Sequence, residues 1–118
     1  MSTMTLLSVD YLTSAYEVLS ISTLEDMRLD LVSRGELLFA EELRLRNLRG
    51  TLPEQFDSIS QDESLNEIAE PLLEAIYAAN KAHNETEHAI IMRSRRMKAI
   101  DRCLVRANQM VDDITELL

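Results

Sequence analysis

The residues best able to carry chemistry are two histidines, and their spacing argues against a metal site. His83 and His88 are five residues apart, whereas two helical metal ligands are usually four apart so that both rings share a face. His83 and Glu87 do have that spacing, but one imidazole and one carboxylate supply too few ligands for a closed site. We therefore predict no bound metal and no cofactor.

Nucleophilic and acid–base catalysis also lack the necessary residues. Cys103 lies beside Arg102 and Arg106, and such neighbours can lower the pKa of a thiol. No histidine is placed as its base, however, and no glycine-rich elbow offers an oxyanion hole. The carboxylates of Glu41-Glu42 and Asp112-Asp113 are adjacent in sequence, so they point to different sides of a helix. A buried or half-buried structural thiol is the favoured interpretation of Cys103, and the sequence predicts no catalytic residue and no enzyme.

Composition favours a helical protein of one domain, residues 1–118. The chain has 46% apolar residues, a single cysteine and only two glycines, which suits packed helices better than a turn-rich sheet. The net charge of −9 repels phosphate backbones, so nucleic acid is a disfavoured partner. No segment approaches the roughly 18 apolar residues of a membrane span. The first residues lack the basic region of a signal peptide, which predicts a cytoplasmic protein.

Hydrophobic residues at steps of three and four predict the helices. We expect helices at 8–34, 36–49 and 63–97 and a C-terminal amphipathic helix at 100–118, with a loop at 50–62. Gly35 and Gly50 are the predicted helix ends, and capping-box spacings begin at Thr51 and Ser60. A bend within 94–110 is expected because one unbroken helix would be very long. The predicted fold is all-α, with three or four antiparallel helices in an elongated hairpin or bundle.

The strongest pattern is a hydrophobic stripe along one side of the C-terminal half, which predicts a face for packing against other helices. Its members are Leu65, Ala69, Leu72, Ile76, Ala79, His83, Thr86, Ile90, Met97, Leu104, Val111 and Leu118. The segment 100–118 fits either a last core helix or a detachable helix that covers a groove.

Charge is divided between two segments. Residues 51–80 hold seven acids and no Lys or Arg, whereas residues 93–106 hold six basic side chains and one acid. A basic stripe at helical spacing consists of Arg95, Lys98, Arg102 and Arg106. It could be solvated, pair loosely with the acidic segment, or dock an acidic partner protein. A nucleic-acid site is a further alternative, disfavoured by the net charge.

The order of parts resembles the small flagellar export chaperones of the FlgN and FliT type. The similarity covers roughly residues 8–104. It rests on Tyr16-Glu17-Val18-Leu19 and Met27 in the first helix and on the break Ser33-Arg34-Gly35-Glu36. It also rests on Ala79-Asn80-Lys81-Ala82-His83-Asn84, followed by Arg93 and Ile100, in the third.

The resemblance implies a non-enzymatic chaperone or adaptor. Such a protein binds the amphipathic helix of a secreted flagellar subunit, keeps it unassembled and delivers it to the export ATPase and gate of the type III system. The third helix would supply the groove for this client helix. The chaperone itself would be a monomer or a homodimer. The residues implied for partner binding are Ile76, Ala79, Asn80, His83, Asn84, Ile90 and Met97, and Leu104 continues their stripe.

Three other functions fit the helical pattern. One is a virulence secretion chaperone or a phage-encoded helical inhibitor built on the same plan. Another is a structural coiled-coil protein that assembles with itself. The last is a helical regulator that binds nucleic acid through the basic segment 93–106.

Overall fold

Three helices make up the structure, a computed structural model that describes residues 6–61, 64 and 66–118. They are α1 (Val9–Tyr16), α2 (Ile21–Ser60) and α3 (Asn66–Leu117). The described residues contain no strand, so the prediction of an all-α fold is confirmed. No described helix combines the length and apolar character needed to span a membrane.

The chain forms two compact units, and helices α2 and α3 contribute residues to both. The first unit comprises Met1–Glu36 with Ile90–Leu118, and the second comprises Leu37–Ala89. In the first unit the Arg28 guanidinium contacts Asp101 and the Arg93 guanidinium contacts the Leu31 carbonyl. Rising numbers in α2 therefore meet falling numbers in α3. Two contacts of the second unit, Glu42–His83 and Arg49–Asn80, show the same antiparallel pairing.

The predicted first helix, 8–34, is wrong in its continuity, although its start at Ser8 is confirmed. The Ser8 hydroxyl accepts a hydrogen bond from the Tyr11 amide and caps α1. The chain then turns after Tyr16, and Ser20 caps α2 by accepting from the Thr23 amide at 3.1 Å. Serine at an N-cap satisfies an amide that the helix leaves without a partner. The signal that sequence reasoning missed was Ser20.

The predicted stops at Gly35 and Gly50, and with them the helix at 36–49 and the loop over 50–60, are also wrong. Helix α2 passes through both glycines and through Pro53, and neither glycine has a positive φ. A glycine or a proline weakens a helix interior by a limited amount, so packing can override either residue. The expected helix start at 63 and the stripe residue Leu65 lie outside the described residues.

The guanidinium of Arg93 lies where a side chain at position 35 would begin, which explains why a glycine is found there. The Arg93 Nε donates a hydrogen bond to the Leu31 carbonyl, one turn before Gly35. A Cβ at Gly35 would lie 2.5 Å from Arg93 Nη2, whereas a Cβ at Gly50 would meet nothing within 4 Å. The glycine therefore lets a guanidinium lie against the α2 backbone.

The expected bend within 94–110 is absent, so the separate helices 63–97 and 100–118 are wrong. Helix α3 continues through this region as part of a 52-residue helix. After Pro71 its sequence has no glycine or proline, and without either residue nothing local interrupts the hydrogen bonding of the helix.

Candidate functional site

The apolar side of α3 forms the centre of the first unit. Leu24 and Leu31 of α2 pack with Ile100 and Cys103 of α3, and Ile100 has no exposed surface. Met97 and Leu104, both predicted for partner binding, pack against this cluster. The predicted stripe is therefore an apolar face of α3, but in this unit it packs against other residues of the same chain.

Helix α1 covers a second part of the same side of α3. Leu12 is 4% exposed and packs with Met92 and Ala99, while the Cys103 thiol donates to the Thr13 carbonyl at 3.5 Å. Burying one leucine contributes about 2 to 3 kcal/mol. Leu7, Val9 and Tyr16 are partly buried against the same cluster, so the attachment of α1 depends on several apolar contacts as well as on Leu12.

Three of the four predicted basic-stripe residues contact the segment around α1. Arg95 Nη1 donates to the Leu7 carbonyl at 3.1 Å, Arg102 Nη1 lies 3.0 Å from Asp10 Oδ1, and Arg106 pairs with Glu17. The fourth residue, Lys98, is exposed. These acids belong to the N-terminal segment and not to residues 51–80, so the loose pairing considered from sequence has a different partner. Docking of an acidic protein stays a prediction.

The pKa of the Cys103 thiol is raised, whereas its arginine neighbours alone would lower it. Burial, followed by the negative charge of Glu17, raises the pKa of the Cys103 thiol, and the positive charge of Arg106 opposes this only in part. Desolvation of the thiolate outweighs the nearby cation, and the predicted buried structural thiol is confirmed, since Cys103 is 5% exposed. A thiol of this kind is a poor nucleophile.

The end of α3 presents its apolar side to solvent. From residue 108 onward every described position is exposed, and the large apolar residues there are Met110, Val111, Ile114, Leu117 and Leu118. Asp112 and Glu116 fall on the opposite side by helical spacing, and Asp113 borders the apolar side. An apolar face of this kind commonly marks an interaction surface, and it is the exposed continuation of the predicted stripe.

A polar cluster lies in the second unit, which also buries Leu45. His83 is 3% exposed. Its Nδ1 is 2.8 Å from Arg49 Nη1, and its Nε2 is 3.2 Å from Glu42 Oε1. Because a guanidinium only donates, Nδ1 accepts from Arg49 and the ring hydrogen on Nε2 is donated to Glu42. Arg49 also donates to Asn80 Oδ1 at 2.8 Å.

Glu42, His83 and Glu87 bring three potential metal-binding atoms within 4.8 Å of one another. Sequence reasoning found His83 and Glu87 but missed Glu42, which lies 41 residues from His83. Arg46 binds both oxygens of Glu42, at 2.9 and 2.6 Å, and thereby lowers the pKa of that carboxyl. With Arg49 at Nδ1, two guanidinium groups already balance two carboxylates. The cluster therefore favours an ion network over a bound cation.

The remaining predicted partner-binding residues take different positions on α3. Ala79 is buried, Ile76 and Ile90 are half-buried, and Asn84 is exposed. Asn80 is half-buried and accepts from Arg49. Within the second unit the structure therefore joins Asn80 and His83 through one arginine, whereas Asn84 stays at the surface. The use of these residues by a partner stays a prediction.

Comparisons with known proteins yield no relative: no family model matches the chain, and it matches neither a curated protein nor a solved structure. The likeness to flagellar export chaperones therefore depends on the sequence pattern alone.

Proposed function

We propose that this protein is a non-enzymatic cytoplasmic adaptor that binds an amphipathic helix, in the manner of a flagellar type III export chaperone. The observation that carries the proposal is the exposed apolar face of α3 at Met110, Val111, Ile114 and Leu117. An amphipathic helix is the usual ligand of such a face, because apolar residues at steps of three and four can interdigitate. The client would be kept unassembled before its delivery to the export ATPase.

Part of the groove predicted from Ile76 to Leu104 is already occupied by contacts within the chain. Met97 and Leu104 pack inside the first unit, and His83 is held in the polar cluster. A client can reach the end of α3 without displacing any of these contacts. We therefore place the initial contact at residues 110–117, with the earlier stripe as a later extension.

The test is binding by an Ile114→Asp variant. Ile114 is 56% exposed, so its replacement should leave the folded state intact while placing a charge in the apolar contact. We expect helicity by circular dichroism to be unchanged and affinity for an amphipathic helix of a secreted flagellar subunit to fall at least tenfold. Isothermal titration calorimetry measures the affinity.

The matched control is Asn108→Asp, which adds the same charge on the polar side of the same helix. Its affinity should equal that of the unmodified protein. Equal binding by both variants would contradict the proposed face. Sedimentation that gave only large oligomers would favour the structural coiled-coil alternative.

A further inference from the structure

We infer that α1 occupies the surface of α3 to which the partner helix binds, and we call this surface, formed by Met92, Ala99 and Cys103, the α1 seat. The partner helix carries acidic residues along one edge and displaces α1 from this seat. This inference rests on the proposed function and specifies its ligand. It starts from the position of α1, a short helix whose Leu12 packs on the apolar side of α3 against Met92 and Ala99.

The α1 seat continues beyond the end of α1. Met92, Ala99, Cys103, Met110 and Leu117 follow one another at steps of seven and four, so they form one row along α3. The first three contact α1 residues, whereas Met110 and Leu117 are exposed. A partner helix longer than α1 would cover the whole row and gain apolar contacts that α1 does not make.

A cleft beside the row offers further contact. It has a volume of about 250 Å³ and is lined in part by Leu19, Leu24, Cys103 and Met110. Glu17 and Arg106 line the same cleft, so it lies where the chain leaves α1. A longer helix in the α1 seat would direct its next turn toward this opening.

Charge selects the partner. Arg102 binds Asp10, and Arg106 binds Glu17. Both arginines would lose these carboxylates when α1 leaves. A helix with Asp or Glu along the corresponding edge restores the two ion pairs, whereas a helix with a basic edge brings like charges together. This gives the predicted basic stripe a definite ligand, an acidic-edged amphipathic helix.

The experiment locks α1 in place. The Cys103 sulfur lies 3.5 Å from the carbonyl oxygen of residue 13, so Thr13→Cys places a second thiol on the residue that Cys103 contacts, and oxidation to a disulfide joins α1 to α3. The probes are two designed amphipathic helices of 21 residues with a leucine face, one with glutamates along the edge and one with lysines there instead. Fluorescence anisotropy measures their binding to the reduced and the oxidised variant.

We expect the glutamate helix to bind the reduced variant and the unmodified protein alike, and the oxidised variant at least tenfold more weakly. The lysine helix should bind the reduced variant at least tenfold more weakly than the glutamate helix. Equal affinity of the glutamate helix for the reduced and oxidised forms would overturn the displacement of α1 and leave the proposed function standing. Absence of binding by either probe in every form would count against both.

Reversal of charge provides a second test that needs no disulfide. Arg102→Glu with Arg106→Glu should transfer the preference from the glutamate helix to the lysine helix, and Asp10→Lys with Glu17→Lys in addition should retain α1 in its seat. An unchanged preference overturns the acidic-edge assignment. A dimer that light scattering detects and that Ile114→Asp dissociates would make a second copy of this chain the occupant, which also overturns it.

Discussion

The two units are built from the same pair of helices, yet their centres differ in chemistry. The first unit encloses hydrocarbon, with Leu24 and Ile100 at most 1% exposed. In the second, Leu45 is buried together with the imidazole of His83, which contacts one guanidinium and one carboxylate. Apolar packing is non-directional, whereas hydrogen bonds fix which atoms meet. The comparison teaches that shape stabilises the first pairing and that directional polar contacts specify the second.

The largest effect should follow from opening the apolar centre. Ile100→Ala removes a side chain with no exposed surface and should lower the free energy of unfolding by about 3 kcal/mol, because a cavity remains in the core. Urea denaturation measures the loss. Ile91→Ala is the matched control, since Ile91 is 41% exposed and should lose less than about 1 kcal/mol. Similar losses would deny that the first unit depends on a closed apolar core.

The polar centre should tolerate replacement better. In His83→Leu, Glu42 keeps its contact with Arg46 and Arg49 keeps Asn80, so neither charge is left without a partner. We expect a loss of about 1 kcal/mol or less, because the added apolar contact offsets the lost hydrogen bonds. Urea denaturation gives the value. A loss of unfolding free energy as large as that for Ile100→Ala would contradict this account, because the contacts of His83 would then stabilise the second unit as strongly as the apolar core stabilises the first.

The two glycines separate helix propensity from packing. Gly50→Ala should stabilise the protein by about 1 kcal/mol, since alanine favours a helix interior and the site is open. Gly35→Ala should gain less, because its Cβ displaces the Arg93 guanidinium from the Leu31 carbonyl. In an Arg93→Met background the Gly35→Ala gain should rise toward that at Gly50. Equal gains without the Arg93 change, by thermal denaturation, would contradict this account.

The smallest expected effect is a loss of stability of the second unit at low pH. Hydrogen bonds from Arg44 and Arg46 lower the pKa values of Glu41 and Glu42 below their usual 4.5. Lowered values in the folded state mean stabilisation that is present above pH 4.5 and is lost as the pH falls through the lowered values. Hydrogen exchange should therefore show the second unit losing protection before the first on acidification. Glu42→Gln should reduce that difference, whereas Glu36→Gln should preserve it.

Local pattern was enough to predict the class of fold and much of the buried side of α3. The steps of three and four placed Met97 and Leu104 toward the first-unit core, because helical periodicity is a property of neighbouring residues. The same reasoning failed at Gly35, where a helix end was expected. The reason for that glycine is Arg93, a residue 58 positions later that no local window contains.

The sequence by itself determined that the chain is helical, that α1 begins at the Ser8 cap and that α3 carries one apolar side, since each depends on residues within a turn or two. Tertiary structure decided that Glu42 meets His83, that Arg102 and Arg106 bind the acids near α1, and that the apolar side is covered by α1 and α2 but exposed from Met110. Periodicity states which side of a helix is apolar. Only the packing of distant segments selects what lies against it.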